Sequence, residues 1–206
     1  MSLLTETIAR QRARRRIQAE GVTAEYSLSQ IASIQRPRYD IFLSQTIRDA
    51  EIVLGVYDML TELGYTVFCD WIEAPDPDRS RVTPANAAWV KRKMSVSETM
   101  LFLDTQGAEQ SRWMCWELGW FDGENGHVAV LPVVPDNITY YTGREFLALY
   151  PIVEIDVDGD IKIVRPPAMD GRGTTVFSTP NSQTFRRWQQ GSPEFARPKA
   201  VGESPW

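Results

Sequence analysis

The chain has 206 residues, 43% hydrophobic and 11% aromatic, with a formal net charge of −5. That length suits one domain with extensions, and that composition suits a packed core rather than a disordered chain. The acidic balance excludes a general nucleic-acid surface, which needs a basic footprint.

Read in chain order, residues 1–37 are expected to form a helical extension. A first helix spans residues 5–18 and ends near Gly21, and a shorter one covers residues 27–34. Arg10, Arg12, Arg14, Arg15 and Arg16 crowd the first helix. They read either as a solvated helix face or as an arm for RNA or anionic lipid, and the solvated face is the simpler account. The N-terminus lacks the apolar core of a secretory signal, and no apolar run is long enough to span a bilayer. Pro37 interrupts the helical pattern.

Strand and helix then alternate. Tyr39-Asp-Ile-Phe-Leu-Ser44 reads as a first strand. Ile52, Val53, Val56, Leu60 and Leu63 recur at helical spacing and predict a helix over residues 49–63, stopped at Gly64. Tyr65-Thr-Val-Phe-Cys-Asp70 is a second strand, and the proline-rich, charged residues 72–84 form a loop. Thr83 and Pro84 open a helix to about residue 97. Thr99-Met-Leu-Phe-Leu-Asp104 is a third strand. A helix over residues 111–121 follows, closed by Asp122-Gly123, and then a fourth strand over residues 127–134. Residues 143–149 form a short helix. Residues 152–157 are a fifth strand or, across Asp158-Gly159-Asp160, one arm of a hairpin with residues 161–164.

Strands apolar on both faces, alternating with helices, predict a doubly wound parallel sheet. The expected architecture is flavodoxin-like: five strands in the order 2-1-3-4-5 over residues 38–164. A helical arm precedes it, and an irregular tail over residues 165–206 follows, with one helical turn near residues 185–190.

Metal and nucleophile chemistry find few candidates. His127 is the only histidine, and Cys69 and Cys115 are the only cysteines. No zinc ligand set or Ser-His-Asp arrangement follows from them, and both thiols read as reduced and buried. No G-x-G-x-x-G turn is present to hold a dinucleotide as a cofactor.

The sheet edge is more informative. Open parallel sheets bind ligands beyond the carboxyl ends of their strands, where strand order reverses. Ser44, Asp70 and Asp104-Thr105 end three strands there, although such groups also cap helices. In Ser111-Arg-Trp-Met-Cys-Trp-Glu-Leu-Gly119, Trp113 and Glu117 share a helix face one turn apart. Trp116 and Trp120 read as core residues. A carboxylate among large apolar neighbours is costly unless paired or turned to a cleft, which singles out Glu117.

Three segments carry a resemblance. Tyr39–Ser44 with Asp49 resembles the first strand and turn of TIR (Toll/interleukin-1 receptor) domains of the stand-alone bacterial type. Gly64-Tyr-Thr-Val-Phe-Cys-Asp70 resembles their second strand, leading into the loop called BB. The Trp113–Glu117 spacing resembles their W-x-x-x-E helix. The resemblance covers about residues 38–157. It implies a cytoplasmic enzyme that consumes NAD+ as a substrate, with no further cofactor, by hydrolysis (NAD+ nucleosidase) or by cyclisation to a cyclic ADP-ribose. It also implies a homo-oligomer when active, and signalling in anti-phage defence through a separate effector that senses the product. Glu117 takes the catalytic role. Ser44, Gln45, Asp49, Asp70, Trp71, Trp113, Arg79 and Arg81 border the substrate. Trp71 or Trp113 offers a face for the cationic nicotinamide, and Arg48, Arg79 or Arg81 a charge for the pyrophosphate. Gln45 stands where the family commonly has histidine, and the BB segment lacks the frequent Pro-Gly. Two rival functions share the layout: a non-catalytic TIR scaffold, and a nucleoside deoxyribosyltransferase-like enzyme.

Overall fold

The computed structural model describes residues 2–71, 83–141, 143, 145–156, 158–164, 168–169, 175–176 and 182–191. The chain runs β1 (Leu4–Thr5), α1 (Glu6–Glu20), α2 (Ala24–Ser33), β2 (Tyr39–Ser44), α3 (Ala50–Glu62), β3 (Val67–Cys69), α4 (Pro84–Met94), β4 (Ser97–Asp104), α5 (Arg112–Glu124) and β5 (Val128–Val134). It continues through β6 (Ile152–Ile155), β7 (Ile161–Val164), a small pair β8 (Ala168–Met169) and β9 (Thr175–Val176), then β10 (Ser182–Thr184) and α6 (Phe185–Gln189).

β2 to β6 form the expected parallel sheet, and β3-β2-β4-β5-β6 is the anticipated strand order. The sheet is larger than five strands. β7 pairs antiparallel with β6, so the hairpin and the fifth strand both form. β10 pairs antiparallel with β7, and β1 adds a short parallel contact to the end of β5.

Local chemistry explains the helix bounds. Thr5, Thr23, Thr83 and Ser111 each accept a backbone N–H from the first turn of the helix they precede. Each satisfies one of the donors a helix start leaves unpaired. α2 begins at Ala24, three residues before the expected point, because the Thr23 hydroxyl accepts the Tyr26 N–H and caps its first turn. Gly21 ends α1 in the left-handed region at φ 69°, where glycine carries no Cβ penalty. α5 runs past Asp122-Gly123 to Glu124, so one glycine did not stop it.

Two hydrophobic layers flank the sheet. Ile41, Leu43, Leu101, Leu103, Ala129 and Leu131 face α1, α2 and α3. Phe42, Met100, Phe102, Val128 and Val130 face α4 and α5. α3 is buried on nearly every side because α1 covers the flank that the sheet does not. The approach is close: a Cβ added at Gly55 would lie 1.9 Å from the Ala9 carbonyl oxygen.

The N-terminal helices and α6 are therefore part of the core. Ala9, Ala13 and Leu28, and Phe185 and Trp188 from the expected tail, are fully enclosed in the first layer. The arginines of α1 are largely paired with acids of the fold. Arg10 lies near Asp49 and Glu51, Arg12 near Glu62, Arg14 near Glu51, and Arg16 near Asp58. The more exposed of these pairs each contribute little, Arg16–Asp58 is partly buried, and together they set the polar rim of the α1–α3 contact. Among the described residues no helix is long and apolar enough to cross a membrane.

Candidate functional site

Strand alternation builds the site. Ser44 is in step with Phe42 and Asp104 with Phe102, which puts both side chains on the α4–α5 face at the carboxyl ends of adjacent strands. β2 and β4 are the neighbours at which the strand order reverses. Ligand crevices of this fold open at that position.

α5 brings the carboxylate. Met114, Leu118 and Phe121 form its buried stripe, and Glu117 lies within that stripe. Glu117 is only 2% exposed, and Ser44, at 1%, donates its hydroxyl to Glu117 Oε2 at 2.5 Å. Contacts this short between hydroxyl and carboxylate are charge-assisted. The bond explains how an acid is tolerated between apolar residues, since a buried carboxylate needs donors.

The surroundings share this polarity. Of the ten buried polar or charged residues among those described, seven lie at this edge: Ser44, Gln45, Thr46, Asp70, Asp104, Thr105 and Glu117. Gln45 Nε2 donates to the Asp70 carbonyl oxygen at 2.6 Å and ties the end of β2 to that of β3. Tyr141 Oη donates to Asp104 Oδ2 at 2.5 Å. Arg48, exposed at the rim, donates to Gln110 Oε1 at 2.5 Å, which joins the loop after β2 to the loop after β4. Gly107 sits in the same seam, where a Cβ would meet Asp49, Thr46 and Arg48 at ordinary contact distance.

The structure thus gathers Ser44, Gln45, Asp70 and Glu117 at one edge. Asp49 stands at the rim, half-buried, 3.8 Å from Arg10 of α1. Trp113 is half-buried one turn before Glu117 and its ring lies 4.7 Å from that of Trp116. Trp71 departs from expectation: it is buried in the α1–α3 layer, so it presents no open stacking face. Trp116 departs in the opposite sense. It is 37% exposed rather than core, because the buried stripe of α5 runs through Met114, Leu118 and Phe121 instead. Trp120 packs partly on that layer, with the Lys91 ammonium 5.4 Å from its ring. Cys69 is buried as anticipated, whereas Cys115 is exposed on α5. Arg79 and Arg81 lie outside the described residues. No group of three or more His, Cys, Asp or Glu side chains among the described residues is placed to hold a metal ion.

Tyr141 and Thr46 were not anticipated. Tyr141 lies in the connection after β5, where no periodicity marks it, and only its contact with Asp104 reveals it.

Fold and site together define a class: a doubly wound α/β domain with a buried hydroxyl–carboxylate pair at the carboxyl edge of its parallel strands. Over 116 residues, 56% of this chain and 60% of the relative, the chain is 41% identical to a protein of Bacillus cereus (strain MSX-D12) named "Probable 3' cyclic ADP-D-ribose synthase ThsB'". It is 25% identical over 81 residues, 39% of this chain and 21% of the relative, to a protein of Cytobacillus dafuensis named "Putative cyclic ADP-D-ribose synthase TIR2". The chain thus spans about three fifths of the first curated relative and about a fifth of the second. No family model matches the chain.

Proposed function

We propose that the chain is a TIR-type enzyme that cleaves the nicotinamide–ribosyl bond of NAD+ and closes the remaining ADP-ribosyl group into a cyclic ADP-ribose. The observation that carries this reading is the buried Ser44–Glu117 pair at the strand-reversal crevice. The names of the two relatives support the same substrate and product class.

The chemistry follows from charge. When the ribosyl C1′–N bond breaks, its electron pair goes to the pyridinium nitrogen, and nicotinamide leaves as a neutral base. The ribosyl carbon gains oxocarbenium character. A carboxylate beside it is attracted more strongly to that developing charge than to the ground-state sugar, so it lowers the barrier. Its effect is greater in a site shielded from water. Ser44 donates to Glu117 Oε2 and so orients the carboxyl group for this task. A hydroxyl of the same ADP-ribosyl group then bonds to C1′ and passes its proton to Glu117, which returns it to water. Trp113 offers a stacking face for the leaving base, and Arg48 retains N–H groups for the pyrophosphate. The product is a small diffusible nucleotide, suited to activating a separate effector in a defence response.

The test is incubation of the purified chain with NAD+, with products identified by mass spectrometry, beside Glu117→Gln and Glu117→Ala. NAD+ loss with a cyclic product in the wild type, absent in both variants, is the expected result. Turnover that survives both substitutions overturns the mechanism. ADP-ribose as the sole product overturns the cyclisation step.

A further inference from the structure

Gln45 holds an atom that the Ser44–Glu117 pair does not use. The side chain is 3% exposed, and its Nε2 donates to the Asp70 carbonyl oxygen at 2.6 Å. That bond sets the orientation of the amide, because the flipped form would press two acceptor oxygens together. Oε1 is then a buried acceptor with no hydrogen-bond partner. Buried acceptors are nearly always paired, so such an atom beside a binding edge points to a donor on the ligand.

Chemistry narrows the donor. Near the bond to be broken, NAD+ carries two kinds of donor: the ribose hydroxyls and the carboxamide N–H of the base. The anionic Glu117, with Ser44, is the stronger partner for the hydroxyls. A neutral amide oxygen suits the carboxamide. An acid in place of the carboxamide would turn an oxygen without an N–H toward that acceptor, so neither would be paired.

We propose that Gln45 Oε1 accepts a hydrogen bond from the carboxamide N–H of the pyridine base and thereby selects a dinucleotide bearing an amide over the corresponding acid. The inference rests on the NAD+-cleaving reading above and adds its base specificity. A site built to pair a polar group rejects the analogue that cannot pair with it.

The experiment compares kcat/KM for NAD+ and for nicotinic acid adenine dinucleotide in the wild type, Gln45→Leu and Gln45→Met. The wild type is expected to favour NAD+ by on the order of a hundredfold or more. Both variants are expected to lose at least about tenfold on NAD+ and much less on the acid analogue, so that the preference collapses. If Gln45 served only to tie β2 to β3, both substrates would fall together and the ratio would hold, which overturns the proposal. Calorimetry of free nicotinamide and free nicotinate on the wild type gives a readout that needs neither turnover nor a variant. Nicotinamide is expected to bind at least about tenfold more tightly. Equal binding, or binding of neither, overturns the amide site. A wild type that selects nicotinamide but leaves NAD+ intact overturns the cleavage reaction and keeps the amide site. One that cleaves both dinucleotides equally does the reverse.

Discussion

Ser44 and Glu117 lie 73 residues apart in sequence and 2.5 Å apart in space, joined by one hydrogen bond in the interior. β2 delivers the hydroxyl and α5 the carboxylate, so the contact exists only when α5 is docked on the sheet. Removing the hydroxyl leaves a buried carboxylate one donor short. Ser44→Ala is expected to lower kcat for NAD+ cleavage by about tenfold to a hundredfold, the worth of a hydrogen bond to a charged group. Glu117→Gln, which removes the charge, is expected to cost far more. Steady-state kinetics on both variants check the ranking, and an equal loss in the two would refute it.

Tyr141 acts on the same edge through Asp104. Its hydroxyl donates to Asp104 Oδ2 at 2.5 Å while its ring packs partly on the α4–α5 layer. Tyr141→Phe keeps the ring and removes the donor. We expect a severalfold fall in kcat/KM with folding stability lowered by roughly 1–2 kcal/mol. Kinetics paired with urea unfolding separate these two effects, and wild-type values in both would show the bond to be idle.

At Gly55, α3 packs directly against the Ala9 backbone of α1. A methyl group there would meet the Ala9 backbone at 1.9 Å, and backbone cannot swing aside as a flexible side chain can. Gly55→Ala is expected to destabilise the fold by about 1–3 kcal/mol or more, despite alanine's better helix propensity. A lowered urea midpoint is the predicted signature. An unchanged or raised midpoint would mean that the helices tolerate a wider spacing.

Trp188 tests whether α6 belongs to the fold. It is fully buried, stacks edge-on against His127 at 5.4 Å and adjoins Phe185. Trp188→Ala is expected to cost about 3–5 kcal/mol, the usual loss for a large core aromatic. Thermal unfolding of the variant checks it, and a change below about 1 kcal/mol would mark α6 as an appendage.

Asp40 links stability to pH. Burial raises its carboxyl pKa, but hydrogen bonds from the Thr66 amide and hydroxyl, both 2.7 Å, and from the Gln189 amide, with the nearby Arg186 charge, together outweigh this, and the pKa lies below its ordinary value. A carboxyl whose pKa is depressed on folding stabilises the folded state above its unfolded pKa, and that contribution is lost as pH falls through the folded value. Asp40→Asn is expected to be less stable than wild type near neutral pH by about 1 kcal/mol, a figure kept low because the group is partly solvated. The gap should narrow as acid protonates the wild type. Unfolding at several pH values tests this, and a gap that widens in acid would contradict it.

Much of this was legible from residue order. The short apolar run Tyr39–Ser44 and the three-and-four rhythm from Ile52 to Leu60 placed strand and helix correctly, because a strand covered on both faces and a helix covered on one leave different apolar patterns. Glu117 stood out for the same reason, as an acid within an apolar stripe. Trp71 and Trp116 were harder to place. Indole suits a core and a surface alike, and only the packing of α5 and of the α1–α3 layer decides which ring is covered.

Short-range patterning alone determined the α/β alternation, the parallel core and the identity of the acid at its edge, since these depend on spacing within single elements. Tertiary structure decided that the first helices and α6 share the core, that the sheet extends through β7 and β10, and that Tyr141 reaches Asp104. Those outcomes depend on contacts between segments far apart in the chain, and the energy of such contacts has no trace in local periodicity.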